Sequence, residues 1–210
     1  MTVAQNQRAA LCDALLDAGP DAPTLCEGWN AHDLAVHCVL RESGDPRIIG
    51  AFIPGLSGLS DAAADSLRRR WSFEGLVEHL RQGPPALSPF SLPGVDAAAN
   101  VAEYFVHTED VRRPAGLPPR PRDPALEADV AKMLGRMGRA LLRKAPVGVT
   151  LERSDTGQRL MGKPGANRVV VVGAPSELLL FAFGRTRDAT VQLIGSDADV
   201  AALVDEHTAF

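Results

Sequence analysis

The sequence predicts an α+β protein: an all-helical segment over residues 1–143, then a small α/β unit over 147–210. Three observations carry this. Apolar residues recur at helical spacing early in the chain, as in Ala10, Leu11, Ala14, Leu15 and Ala18. Five prolines between 114 and 124 read as a stiff, extended connector, and another helical stripe follows it. β-Branched runs begin only after Pro146, and Arg168-Val169-Val170-Val171-Val172 is the strongest strand signal.

The elements follow in order. Residues 3–18 form a helix that Gly19-Pro20 ends. Asn30 caps a second helix, with Asp33 at the third position where an acid favours the helix dipole. Leu34, His37, Cys38 and Arg41 lie along it. Residues 43–60 are rich in Gly, Pro and Ser and read as a loop. Asp61 can cap a third helix running to about Arg81, and 83–94 is irregular. A fourth helix covers roughly 95–112 and a fifth about 124–143. Strands are expected at 147–151, 168–172 and 190–194, and helices at 175–183 and 197–205.

The chain has 210 residues, 45% hydrophobic and 23% charged, which is ordinary globular usage. Its net charge of -4 lacks the basic footprint of broad nucleic-acid binding. The first residues hold no apolar signal core, and no stretch approaches the ~20 apolar residues of a membrane span. A cytoplasmic protein is the expectation. Cysteines at 12, 26 and 38 are odd in number and do not look like a disulfide framework. His79 and His207 have no partner in the sequence and are expected at the surface. Gly157 to Lys163 fits part of a phosphate-binding loop, but Pro164 stands where a Ser or Thr would hold magnesium, so a hairpin turn is expected there.

The chemistry concentrates in three residues. Glu103 and His107 are four apart in a helical context, within ~40° of each other on one face. His37 lies on a different helix. Two imidazoles and one carboxylate can hold a divalent ion with a position left for water or substrate, as in catalytic zinc sites. Facing helices of a bundle often build such sites. The bland alternative is an exposed helix pair contributing ~0.2–0.5 kcal/mol. The apolar neighbours Val101, Ala102, Tyr104, Phe105 and Val106 argue for partial burial, where an unpaired carboxylate is costly. His32 is a weaker ligand candidate, ~140° around the helix from His37. Asp33 and Glu109 are candidate partners that would orient a ligand histidine, with capping and surface charge as their bland alternatives.

Two stretches carry a family resemblance. The first runs Thr24-Leu25-Cys26-Glu27-Gly28-Trp29-Asn30-Ala31-His32-Asp33-Leu34-Ala35-Val36-His37. The second runs Glu103-Tyr104-Phe105-Val106-His107-Thr108-Glu109-Asp110-Val111-Arg112-Arg113. Together, and in this order, they resemble the two signatures of the DinB-like, mycothiol-dependent maleylpyruvate isomerase family. The resemblance implies a four-helix bundle over 1–143 holding a divalent metal, most often zinc, on His37, Glu103 and His107. It implies a sterol-carrier-like C-terminal domain over 147–210, and a catalytic arginine there. Arg185, after Gly184, is the candidate for that role, with Arg187 second; the alternative for Arg185 is a cation at a helix C-terminus.

The expected activity is a metal-dependent isomerisation or S-transfer using a low-molecular-weight thiol, with mycothiol as cosubstrate and a small electrophile as substrate. A non-catalytic metal- or ligand-binding protein of the same fold, and a metal-dependent hydrolase, remain open at this point.

Overall fold

The computed structural model describes residues 1–45, 47, 57–85, 95–118, 120–160 and 162–207, with backbone alone for 57–59 and 95–99. Most of the loop expected at 43–60, and most of the irregular stretch at 83–94, lies outside them. The described residues hold eight helices and one four-stranded sheet, so the chain is α+β. It divides into two compact units, Met1–Pro119 and Arg120–Phe210.

The division falls inside the proline-rich connector rather than between 143 and 147. The sequence boundary follows the change of secondary structure, whereas the compact units follow packing. Helix α6 (Pro124–Leu141) buries Leu126, Val130, Met133 and Leu134 and packs on α7 (Pro175–Ala182). The Glu127 carboxylate accepts from the Ser176 backbone N–H at 2.9 Å and from its hydroxyl at 2.7 Å, pinning the start of α7.

The first unit contains α1 (Val3–Ala18), α2 (Ala31–Glu42), α3 (Ser57–Arg70), α4 (Phe73–Gln82) and α5 (Val95–Arg112). Thr2 and Asn30 each form a reciprocal capping box, with Gln5 and Asp33 respectively. The single helix expected over 61–81 is two helices. The Ser72 hydroxyl accepts the Gly75 N–H at 3.2 Å and caps α4, so the chain turns at Trp71-Ser72. Asp61 lies inside α3, which begins at Ser57, rather than at its start.

Leu11 and Leu15 of α1, Leu34 of α2, Leu76 and Leu80 of α4 and Tyr104 of α5 share one buried core. A polar pin runs through it. Arg8 of α1 donates to the Tyr104 hydroxyl at 2.9 Å, and that hydroxyl donates to the Glu42 carboxylate of α2. The Arg8 guanidinium also approaches Glu42 at 3.5 Å. Burial pushes Glu42 above the usual carboxylate range, against the Tyr104 hydrogen bond and the Arg8 charge. Three helices are tied at one level by groups that are costly to leave unpaired.

The second unit adds β1 (Gly148–Arg153), β2 (Arg159–Leu160), β3 (Arg168–Gly173), β4 (Gln192–Ile194) and α8 (Asp197–Glu206). The strand order is β2-β1-β3-β4. β1 pairs antiparallel with β2 (Leu151 opposite Leu160) and parallel with β3 (Leu151 opposite Val171), and β3 pairs antiparallel with β4. Val149, Leu151, Val169 and Val171 alternate onto the buried face.

The stretch Gly157–Leu160 turns back on β1, as a hairpin should, and Gly157 takes φ +68°. Beyond β2 the chain lies so close to β1 that a Cβ on Gly162 would sit 2.0 Å from the Val149 carbonyl oxygen. That glycine is required by backbone approach, not by a phosphate. His207 departs from expectation: it is 3% exposed and stacks on Phe181 of α7, ring centroids 5.8 Å apart.

Candidate metal centre

His37 sits on α2, and Glu103 and His107 sit one turn apart on α5. The fold brings all three together. The Nε2 atoms of His37 and His107 each lie 3.1 Å from the same carboxylate oxygen, Oε1 of Glu103. The two imidazole centroids are 5.3 Å apart. Tetrahedral zinc, with bonds of about 2.0–2.1 Å, sets neighbouring ligand atoms roughly 3.3 Å apart, close to the spacing seen here. The donor set, two imidazoles and one carboxylate, suits zinc and also other divalent transition ions.

Burial would raise the Glu103 pKa, but hydrogen bonds from His107 and His37, with the charges of His107 and Arg41, hold it well below the usual range. Arg41 Nε stands 3.6 Å from Glu103 Oε1 and its guanidinium also donates to Asn100. Burial alone would depress His107. Its hydrogen bonds to Asp110, Cys26 and Glu103 outweigh that and raise it well above the usual imidazole value.

The site is open on one side. The His37 side chain is 31% exposed and that of Glu103 20%, against 10% for His107. Trp29 stands beside the opening, 39% exposed, its ring centroid 5.2 Å from that of His37.

Behind His107 the polar groups continue inward. Its Nδ1 lies 2.9 Å from Oδ2 of Asp110, a fully buried carboxylate on the last turn of α5. The Cys26 thiol donates to the same oxygen at 3.3 Å. Cys26, His107 and Asp110 are thus a second cluster of potential ligand atoms sharing His107 with the first. Sequence reasoning missed both Asp110 and Cys26. The spacing of three from His107 to Asp110 places them on one helix face and was the available signal.

The other candidates resolve into local roles. Asp33 completes the α2 capping box and pairs with Arg68 at 2.8 Å. Glu109 pairs with Arg113 at 2.9 Å. His32 packs edge-on against Phe73 and joins neither cluster. Cys38 is a core residue, its thiol pushed up to about 12 by burial. In the second unit, Arg185 donates to the Phe183 carbonyl at 2.6 Å, at the end of α7, and Arg187 pairs with Asp205.

No family model matches the sequence, and no curated protein is significantly similar to it. Two crystal structures align over most of the chain. One is of mycothiol-dependent maleylpyruvate isomerase, at TM-score 0.50 and 16% identity over 91% of this chain and 90% of that one. The other is of its histidine-to-alanine mutant, at TM-score 0.51 and 15% identity with the same coverage. This chain has their fold. The likeness spans both units, so the α+β class and the order of the parts hold together, while the identity is too low to carry an activity across.

Proposed function

We propose that the chain is a metal-dependent enzyme that uses a low-molecular-weight thiol, of the mycothiol type, on a small electrophilic substrate. The observation that supports this best is the convergence of His37 and His107 on one Glu103 oxygen, in the fold of a thiol-dependent isomerase. In this proposal the first unit, with its five helices, contains a DinB-like four-helix bundle, and residues 147–210 of the second unit are the sterol-carrier-like part.

His37, Glu103 and His107 would hold the ion, zinc by preference. A divalent ion there lowers the pKa of a bound water or thiol toward neutrality. The chain's own residues do the rest. Glu103 balances part of the ion's charge, held in place by Arg41, which in turn donates to Asn100. Trp29 gives the opening an aromatic wall against which an unsaturated substrate can lie. The thiolate adds to an activated double bond, the resulting single bond rotates, and expulsion of the thiolate returns the other geometric isomer. Where the adduct persists, the outcome is S-transfer. On the resemblance, Arg185 is the proposed catalytic arginine.

The first test is elemental analysis of purified wild type beside His107→Ala. About one divalent ion per chain is expected in the wild type and almost none in the variant. Protein that carries no metal and takes up no zinc would overturn the proposal. Metal retained without any thiol-dependent turnover of activated alkenes would point to the non-catalytic binding protein instead.

A further inference from the structure

The two clusters that share His107 differ in one respect. Glu103 and His37 are partly open to solvent, whereas Asp110 is fully buried. A catalytic ion needs an open position, so the outer cluster suits the ion and the inner one suits orientation. His107 has one nitrogen toward each: Nε2 toward Glu103 and Nδ1 toward Asp110.

The Thr24–Trp29 segment organises the inner cluster. The Thr24 hydroxyl accepts the Cys26 N–H at 3.2 Å and donates to the Trp29 carbonyl at 2.9 Å. The Trp29 N–H donates to the Cys26 carbonyl at 3.0 Å, and Gly28 takes φ +77° to close the turn. The Leu25 N–H donates to the Asp110 backbone carbonyl at 3.0 Å, fastening the loop to α5. One side of this loop presents Cys26 to the Asp110 carboxylate, and another lays Trp29 against His37.

We propose that Asp110 is the positioning residue of the metal site. It holds the proton of His107 on Nδ1, so that the Nε2 lone pair faces His37 and Glu103, and the Cys26 thiol locks Asp110 in that pose. The Thr24–Trp29 loop thereby reaches both histidines, through Cys26 and Asp110 behind His107 and through Trp29 beside His37. The orientation follows from hydrogen-bond geometry. Both ring nitrogens face a carboxylate. With an ion held between Nε2 and Glu103, the Nε2 lone pair goes to the ion. The one remaining ring proton is on Nδ1, where the Asp110 carboxylate, which can only accept, takes its hydrogen bond.

This rests on the metal-centre proposal above, and its test separates the two. Zinc is titrated calorimetrically into wild type, Asp110→Asn, Asp110→Ala, Cys26→Ser and Cys26→Ala, with folding checked by circular dichroism. Nitrogen NMR of the zinc-loaded proteins reads which nitrogen of His107 meets the ion and which keeps the proton. The expected result is a proton on Nδ1 in wild type, with loss of that preference in Asp110→Ala. Zinc affinity should fall about 10- to 100-fold in both Asp110 variants. Cys26→Ala should weaken it by less, and Cys26→Ser, which keeps a donor, should restore it.

Unchanged zinc affinity and an unchanged Nδ1 proton in folded Asp110→Ala would overturn the inference. If the Asp110 variants do not fold, the Cys26 pair decides: equal zinc affinity in Cys26→Ala and wild type would overturn it. If the wild type binds no zinc, the metal proposal fails and this inference, which rests on it, fails with it; zinc bound by the wild type and equally by folded Asp110→Ala overturns this inference alone.

Discussion

Trp29 shows how one residue can report on the centre. Its indole is 39% exposed and lies against His37. An ion drawn onto His37 places positive charge near an aromatic face, which perturbs indole emission. Zinc addition should therefore change the emission of wild type and leave that of Trp29→Phe, which keeps Trp71, nearly flat. An equal response in both proteins would place the bound ion away from His37.

Single elements carry their own costs. Gly28 takes φ +77°, and nothing lies within 4 Å of the position a Cβ would take, so Gly28→Ala meets backbone strain and no clash. The expected loss is about 1–2 kcal/mol, read by urea unfolding, with weaker zinc binding because the loop that reaches both histidines is loosened. Full stability in Gly28→Ala would mean that the turn relaxes without cost. The pin between α1, α2 and α5 is tighter. Tyr104→Phe removes the hydroxyl that joins Arg8 to Glu42 and leaves two buried charged groups one partner short. The same urea experiment should read about 1–3 kcal/mol of destabilisation. A loss under about 0.5 kcal/mol would show that Arg8 and Glu42 satisfy each other directly.

At the scale of the whole chain, two tests address the second unit. Burial holds His207 below its ordinary value of 6.5. The unfolded chain then binds the proton first as pH falls. The stability that neutral His207 contributes is full above 6.5, declines as pH drops below it, and is lost once the folded pKa is passed. Thermal unfolding between about pH 5 and pH 8 should show a smaller acid loss in His207→Gln than in wild type. Parallel curves would mean that His207 titrates alike in both states. Arg185→Ala addresses the proposed division of labour. It should keep full metal and lose thiol-dependent turnover. Unchanged turnover would return Arg185 to its observed local role, donating to the Phe183 carbonyl at the end of α7.

Much of this was visible before folding, because local chemistry decides it. The Asn30 cap, the Gly19 stop and the Val169–Val172 strand depend on near neighbours in the chain, and each falls where the pattern put it. The break at Ser72 was missed because the apolar stripe runs through it, and a single hydroxyl outweighs that stripe locally. The spacing of Glu103 and His107, with a histidine on another helix, named the three residues that converge. Only tertiary packing decided the rest. It joined α6 to the sheet rather than to the helices before it, since a stripe of apolar residues does not state which partner will cover it. It buried His207. It also carried Cys26 across 84 residues to Asp110. Sequence sets which groups each element can offer; the long-range contacts of the fold decide which of them share an oxygen.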